Sequence, residues 1–210
     1  MSLKVKICGM RKAENVKEVS SLRPDLMGFI FYKSSPRYVE ESSLREVLED
    51  VPNEISKVAV FVNEAIDEVT RICISYGFDY AQLHGDESKD YCKELREAGV
   101  AVIKAFSVGS SLDFDEIRLY APYVDFFLFD TKTKGYGGSG KQFDRSLLHE
   151  YPLETPYFLS GGIGESDSET ILQEPLPKCI GIDANSRLET RPGLKNTQAV
   201  SRLINQIRKG

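Results

Sequence analysis

The chain has 210 residues, and 27 Lys and Arg against 32 Asp and Glu give a formal net charge of −5 at pH 7. This acidic balance disfavours extended, non-specific binding to nucleic acid, because phosphate backbones attract basic surfaces. No run approaches the roughly 18 apolar residues of a membrane span, and the first residues lack the apolar core of a signal peptide. The composition therefore predicts a cytoplasmic globular protein that binds neither nucleic acid nor a membrane.

Cysteines and histidines are few and widely spaced, and no C-x-x-C pair occurs. Structural zinc sites need clusters of these residues at short spacings, and disulfides are rare in a reducing compartment. The sequence therefore predicts no metal site and no disulfide framework. The residues concerned are Cys8, Cys73, Cys92, Cys179, His84 and His149.

Short β-branched or aromatic runs alternate with segments of helical periodicity along the whole chain. Successive runs start about 20–30 residues apart, which is the length of one parallel βαβ crossover. The predicted strands are Lys4–Cys8, Leu26–Phe31, Ile55–Val62, Tyr80–Leu83, Val100–Phe106, Phe126–Phe129, Tyr157–Ser160 and Cys179–Asp183.

The segments between the strands carry apolar residues at helical spacing, which predicts helices that bury one face. Two helices are predicted at Glu64–Tyr76 and Glu87–Ala98, with Asn63 and Asp86 as N-caps and a glycine after each last residue. The two clearest apolar stripes are Leu44, Val47, Leu48 and Val51, and Val200, Leu203, Ile204 and Ile207.

Eight βα units without a linker or a shift in composition predict one closed (β/α)8 TIM barrel that spans residues 1–210 as a single catalytic domain. An open, doubly wound α/β sheet is the alternative. In a closed barrel, the functional groups lie at the C-terminal ends of the strands and in the loops that follow. The candidate site residues are therefore sought there.

Two unlike proton-transfer groups end predicted strands. Cys8 ends the first strand, and it is either a nucleophile or base at the barrel mouth or a small buried hydrophobic side chain. Asp130 follows the apolar run of the sixth strand, and a carboxylate in such a place is rarely without a partner or a task. A thiol with a carboxylate suits a proton-moving isomerisation better than hydrolysis, because no Ser-His-Asp arrangement is evident.

Three further residues are candidate substrate contacts. Arg37, in the loop after the second strand, either offers a planar fork to a carboxylate or phosphate or is simply solvated. His84 ends the fourth strand, where it either contacts substrate or has a packing role. Asp183 ends the eighth strand and either contacts sugar hydroxyls or braces the mouth.

The last two strands end in patterns that suit a phosphate group. Paired glycines, Gly161 and Gly162, follow the seventh strand, and Asn185 and Ser186 follow the eighth. Barrels of this class often hold phosphate on backbone N–H groups at these two loops, and glycine lets the backbone approach the anion closely.

The glycine-rich segment Gly135–Lys141 matches most of a P-loop, but Gln142 stands where that motif needs Ser or Thr for magnesium. The segment also begins several residues after its strand. We interpret Lys132–Lys141 as a lid over the mouth or a simple surface loop. The competing interpretation is a nucleotide-binding module that uses Gly135–Lys141.

Taken in order, the motifs at the strand ends make the chain resemble the phosphoribosylanthranilate isomerase family of tryptophan biosynthesis, nearly from end to end. Each motif is modest alone, and their number and order make the resemblance specific. They are Lys6-Ile7-Cys8-Gly9, Gly28-Phe29-Ile30-Phe31 with Ser35-Pro36-Arg37, Val60-Phe61-Val62-Asn63, Gln82-Leu83-His84-Gly85, Asp130-Thr131, Gly137-Gly138-Ser139-Gly140-Lys141, Ser160-Gly161-Gly162 and Asn185-Ser186.

The resemblance implies an Amadori rearrangement of a phosphosugar substrate without metal or organic cofactor, by a monomer or homodimer. It implies that Cys8 is the general base, that Asp130 is the general acid, and that Arg37 contacts the anthranilate carboxylate. The loops after the last two strands would hold the phosphate. Another phosphosugar barrel enzyme is the nearer alternative, but an epimerase would be expected to carry further histidine ligands.

The chain departs from the family pattern at two places outside the acid–base pair. Arg145 stands where an aromatic residue often follows Phe-Asp, and Asn196 stands where an acidic residue often closes Pro-Gly-x-Lys. These departures concern the packing of loops.

Overall fold

Eight parallel strands form a closed barrel in the computed structural model, which describes residues 3–132 and 142–209. Each strand pairs with its sequence neighbour, and β8 pairs with β1 to close the barrel. The predicted TIM-barrel fold is confirmed, and the strand ends differ from the prediction by at most two residues. The strands are β1 (Lys4–Ile7), β2 (Leu26–Ile30), β3 (Ser56–Phe61), β4 (Tyr80–Leu83), β5 (Val102–Val108), β6 (Phe126–Thr131), β7 (Tyr157–Leu159) and β8 (Cys179–Ala184).

Helices connect the strands and cover the outside of the barrel. The described part of the loop between β6 and β7 contains only a 3₁₀ segment, Arg145–Leu148. The α-helices are α1 (Ala13–Ser21), α2 (Leu44–Glu49), α3 (Ile66–Tyr76), α4 (Lys89–Glu97), α5 (Phe114–Arg118), α6 (Ser168–Gln173) and α7 (Thr197–Lys209). The other 3₁₀ segments are Glu41–Ser43, Ala121–Tyr123, Glu165–Asp167 and Ser186–Leu188.

Alternation along each strand divides the core into two layers. On β1, Val5 and Ile7 pack in the larger cluster between barrel and helices. Lys6 and Cys8 have the opposite parity, and Cys8 packs in the smaller cluster inside the barrel. The predicted stripe of α7 is buried from Val200 to Ile207 against the outer layer. Because side chains alternate along β1, those of residues 6 and 8 both point toward the site.

The predicted N-caps Asn63 and Asp86 are wrong. The two residues bond to each other, since the backbone N–H of Asp86 donates to Asn63 Oδ1 at 2.7 Å. The cap of α4 is Ser88, whose Oγ accepts from the backbone N–H of Tyr91 at 3.2 Å. Both residues thus tie the loop after β3 to the loop after β4. The C-terminal prediction holds at Gly77, which ends α3 with φ +63°.

A small hairpin that the sequence analysis did not predict lies between β8 and α7. Its strands are β9 (Glu189–Arg191) and β10 (Leu194–Lys195), and Gly193 between them has φ +78°. The backbone N–H of Lys195 donates to Asn15 Oδ1 at 2.7 Å, and Asn15 Nδ2 donates back to the Lys195 carbonyl at 3.0 Å. This reciprocal pair fastens the hairpin to α1.

Two further predictions concern membrane-spanning segments and the glycine-rich loop. Among the described residues, none of the helices combines the length and the apolar character needed to cross a membrane. Of the predicted lid, Lys132–Lys141, residues 133–141 lie outside the described residues, and so does the whole P-loop-like segment Gly135–Lys141.

Candidate active site

A pocket opens at the C-terminal end of the barrel, and eight of the nine predicted site residues line it. Gly161 is the exception, although its neighbour Gly162 does line the pocket. The side chains come from β1, β6, β8 and the loops after β2, β4, β7 and β8, which is where a closed barrel gathers its functional groups. The eight are Cys8, Arg37, His84, Asp130, Gly162, Asp183, Asn185 and Ser186.

Cys8 lies directly after β1, where its backbone N–H donates to the Ala184 carbonyl at 2.9 Å. Its side chain packs in the inner cluster and also borders the pocket, with 4% of the residue exposed. Gly28 on β2 leaves room for the sulfur, because a β-carbon there would lie 2.7 Å from Cys8 Sγ. The thiol is therefore buried at the base of the pocket.

Lys6 lies at this site, and the sequence analysis assigned no role to its side chain. It is fully buried inside the barrel, and its Nζ lies 2.7 Å from Asp183 Oδ1. Burial alone would lower the pKa of the Lys6 ammonium, but Asp183 and Cys8 together hold that pKa above its ordinary value. The period-two pattern of β1, which puts residues 6 and 8 on one face, was the available signal.

Asp130 accepts one backbone hydrogen bond and lies beside the imidazole of His84. Its Oδ1 accepts from the backbone N–H of Thr131 at 2.8 Å, and its Oδ2 lies 3.3 Å from His84 Nε2. The Gln82 amide nitrogen lies 3.0 Å from His84 Nδ1, and an amide nitrogen can only donate. With the amide in this orientation, a neutral imidazole carries its proton on Nε2, which faces Asp130.

Arg37 is not a solvated loop residue, since only 9% of it is exposed. Its Nε donates to Glu189 Oε1 at 2.9 Å and its Nη2 donates to Oε2 at 2.7 Å, which is the parallel two-bond geometry of a guanidinium with a carboxylate. One edge of the guanidinium is thus used within the protein. The sequence predicted the cation at the pocket but not the carboxylate that orients it.

Lys195 joins the carboxylate of Glu189 to the loop after β8. Its Nζ lies 2.8 Å from Glu189 Oε1 and 2.7 Å from Asn185 Oδ1. Burial would raise the pKa of Glu189, but the hydrogen bonds and charges of Arg37 and Lys195 bring that pKa below its ordinary value. Glu189 is therefore a carboxylate that links two lining residues, Arg37 and Asn185.

Gly9 allows these side chains to approach the end of β1. It has φ +77°, and a β-carbon there would lie 2.6 Å from Asn185 Oδ1 and 2.8 Å from Arg37 Cδ. The space that the glycine leaves is filled by these two side chains of the site.

The glycines after β7 adopt backbone conformations that favour glycine. Gly161 has φ +93° and Gly162 has φ +62°. A β-carbon on Gly161 would collide with Thr131 Oγ1, which places this turn against the end of β6. The Gly162 carbonyl accepts from Arg187 Nη1 at 3.0 Å. The turn is thereby fixed beside Asn185 and Ser186 at the pocket.

The chemistry available in the pocket is proton transfer and anion binding. Within residues 3–132 and 142–209, no group of three or more His, Cys, Asp and Glu side chains is arranged to hold a metal ion. The four cysteines are all free. The titratable side chains that line the pocket include Cys8, His84, Asp130 and Asp183.

Comparisons with known proteins agree on one family. The sequence model of N-(5'phosphoribosyl)anthranilate (PRA) isomerase matches residues 5–206. An N-(5'-phosphoribosyl)anthranilate isomerase of Parabacteroides distasonis is 44% identical over 205 residues, which cover 97% of this chain and 92% of that protein.

Solved structures of the same family superpose on the whole chain. One is a phosphoribosyl anthranilate isomerase in complex with reduced 1-(o-carboxyphenylamino)-1-deoxyribulose 5-phosphate, with TM-score 0.85, 26% identity and coverage of 99% of this chain and 100% of that one. Another is described as monomers generated from the dimeric enzyme of Thermotoga maritima, with TM-score 0.85, 27% identity and the same coverage.

Proposed function

The chain belongs to the N-(5'-phosphoribosyl)anthranilate isomerase family, and from that premise we propose how its pocket carries out the reaction. The reaction is the Amadori rearrangement of N-(5'-phosphoribosyl)anthranilate to 1-(2-carboxyphenylamino)-1-deoxyribulose 5-phosphate, a step of tryptophan biosynthesis. It is an isomerisation of an aldose derivative to a ketose derivative, so every proton that is removed must be returned.

Asp130 is the general acid of the first step. It protonates the ring oxygen of the ribose as the bond from that oxygen to C1 breaks, and the nitrogen lone pair forms the C1=N bond of a Schiff base. His84 Nε2, 3.3 Å from Asp130 Oδ2, orients the carboxyl group toward the substrate. The carboxyl lines the pocket directly, which fits the requirement that a general acid reach its substrate within a hydrogen bond.

Cys8 is the general base of the second step. Its thiolate removes the proton from C2, the electrons of that C–H bond form the C1=C2 bond of an enolamine, and the π electrons of C1=N return to nitrogen as its lone pair. The enolamine then tautomerises to the ketone when C1 gains a proton and the C2 hydroxyl loses one. The proton taken by Cys8 and the proton given by Asp130 balance over one turnover.

The remaining side chains hold the two anionic ends of the substrate. Arg37, oriented by Glu189, binds the anthranilate carboxylate through the part of its guanidinium that Glu189 does not use. The turn at Gly161 and Gly162 holds the phosphate together with Asn185 and Ser186, and Asp183 contacts a sugar hydroxyl. Glycine at the turn lets backbone N–H groups approach an anion.

The observation that carries this proposal is that Cys8 and Asp130 line one pocket at the C-terminal end of the barrel. Loss of substrate fluorescence measures the activity. We expect Cys8→Ala and Asp130→Asn each to lower kcat by roughly 10²–10⁴, which is the usual contribution of acid–base catalysis. Cys179→Ala is the matched control, because Cys179 begins β8 at the opposite end of the barrel. Full activity of either site variant would refute the assignment.

We also propose that residues 1–210 act as one catalytic domain, as a monomer or homodimer in the cytoplasm, on a small phosphosugar. The match of the family over residues 5–206 supports the first part, and the dimeric relative from Thermotoga maritima supports the dimer. Light scattering of the purified protein distinguishes the two oligomeric states. A larger assembly would contradict both.

A further inference from the structure

The thiol of Cys8 lies in surroundings that oppose its use as a base. Burial raises the pKa of the Cys8 thiol, because a thiolate loses its hydration inside the barrel. A cysteine must nevertheless be a thiolate before it can take a proton as a general base. A nearby positive charge is therefore the feature that this site needs.

Charged groups face Cys8 from three elements. Lys6 on β1 and Lys195 on β10 lower the pKa of the thiol, and Asp183 on β8 raises it. The pocket that Cys8 lines is also lined by His84, Asp130 and, from the loop after β2, Arg37. Lys6 is the cation to consider first, because its Nζ and the Cys8 sulfur both lie beside Gly28.

Lys6 and Cys8 occupy the same corner of the barrel interior. A β-carbon at Gly28 would lie 2.7 Å from Cys8 Sγ and 3.2 Å from Lys6 Nζ, so both atoms border one point above β2. The Lys6 side chain is fully buried, and an ammonium group there is kept from water on every side. It interacts with the carboxylate of Asp183 at 2.7 Å and with the thiol of Cys8.

We propose that Lys6 is a positioning residue of the isomerisation, which holds a positive charge against the Cys8 sulfur and so favours the thiolate that removes the C2 proton. The inference rests on the proposed function, in which Cys8 is the base. Lys6 keeps its proton throughout. The thiol loses its proton to solvent before substrate binds, and the thiolate then takes the C2 proton. After the product leaves, the thiol gives that proton to solvent.

Asp183 allows the direction of the shift in the Cys8 titration to be tested. Its carboxylate attracts the same ammonium and adds a negative charge close to the sulfur. Removing the charge of Lys6 must then make the thiolate harder to form, and removing the charge of Asp183 must make it easier. Two substitutions of one ion pair therefore shift the same titration in opposite directions.

The experiment follows the pH dependence of Cys8 alkylation by iodoacetamide in the free protein, read on the Cys8 peptide by mass spectrometry. Relative to the parent, we expect Lys6→Met to shift the titration upward by about one to three pH units, the usual effect of an opposite charge at close range. Asp183→Asn is expected to shift it downward, and the double variant to lie between the two. Lys6→Arg keeps the charge and is expected to restore most of the parent behaviour.

Lys104→Met is the matched control. Lys104 is an equally buried lysine, paired with Glu87 at 2.8 Å, and it is not among the groups that act on Cys8. Its loss is expected to leave the Cys8 titration in place. An equal shift in Lys104→Met and Lys6→Met would overturn the proposal, and so would an unchanged titration in folded Lys6→Met.

If Lys6→Met does not fold, the Asp183→Asn variant and the neutral double variant decide the question. A titration of Asp183→Asn that stays in place or moves upward contradicts the proposal. A failure of this proposal can be distinguished from a failure of the proposed function. Full activity of Cys8→Ala removes the base itself, whereas an inactive Cys8→Ala with a titration that ignores Lys6 removes only the role of Lys6.

Discussion

The two sides of the pocket are supported by different kinds of interaction. On the side of Cys8, the neighbours are buried ions, Lys6 with Asp183 and Lys195 with Glu189. On the side of Asp130, the neighbours are the Thr131 backbone N–H, which donates to the carboxylate, and the imidazole of His84. The difference matches the proposed roles, since a thiol that acts as a base needs its negative form stabilised and an acid must be able to hold a proton.

A buried ion pair also lies near the acid side, but it serves the backbone. Lys104 Nζ donates to the Gly85 carbonyl at 2.7 Å and lies 2.8 Å from Glu87 Oε2. Glu87 in turn accepts from the backbone N–H of Asn63 at 2.8 Å. These charges fix the loop that follows His84, whereas in our proposal the charges near Cys8 act on the sulfur itself.

The largest effects are expected from the reacting groups, and their pH profiles distinguish the two sides. In the parent, kcat/KM falls as the pH falls through the pKa of Cys8, and burial places this acid limb above the ordinary cysteine range. Cys8→Ala is expected to lose roughly 10²–10⁴ in kcat and to lose this limb. Asp130→Asn is expected to lose a similar factor in kcat and to keep the acid limb of the pH profile. Identical profiles in both variants would contradict the division of roles.

Arg37→Ala is expected to have the next largest effect, mainly on substrate binding. Loss of a charge-assisted contact to the carboxylate should raise KM by roughly 10–100-fold, with a smaller change in kcat. Steady-state kinetics at saturating and limiting substrate separates the two constants. Unchanged KM and kcat would remove Arg37 from the site.

His84→Phe tests whether the acid side depends on its donor. The substitution removes the Nε2–H that faces Asp130 and keeps an aromatic ring of similar size. We expect kcat to fall by about tenfold, because the Asp130 carboxyl group loses the polar neighbour that orients it. Alkylation of Cys8 should titrate as in the parent. A shifted Cys8 titration would show that the two sides are not independent.

Glu189→Gln is expected to have the smallest effect among these changes. The amide keeps one hydrogen bond to Arg37 but loses the charge that pairs with Arg37 and Lys195. We expect KM to rise a few-fold, since Arg37 is less well oriented, while kcat changes little. A larger loss in kcat than in KM would indicate that Glu189 acts on the reacting side of the pocket.

The fold was predictable because the barrel repeats one local pattern, and the strand ends located Cys8 and Asp130 without any contact information. Lys6 was within reach, since it shares the parity of Cys8 on β1, but a lysine in a strand is ordinarily assigned to solvent. Its partner Asp183, which lies opposite it on the neighbouring strand β8, makes its burial tolerable.

Other features could not be read from local sequence. Glu189 reaches Arg37 through the β9–β10 hairpin, a contact between residues 152 positions apart. Asn63 and Asp86 have the composition of N-caps, and they bond to each other because parallel neighbouring strands bring their loops together. Tertiary contacts thus override local preference in the loops where the site is built.

The most direct test of the two-sided account is a single-turnover measurement with substrate deuterated at C2. In Cys8→Ser, removal of the C2 proton should limit the rate, so deuterium should slow that turnover clearly more than it slows the parent. In Asp130→Asn, ring opening should limit the rate, so deuterium should have little effect. A strong isotope effect in Asp130→Asn together with none in Cys8→Ser would contradict the account.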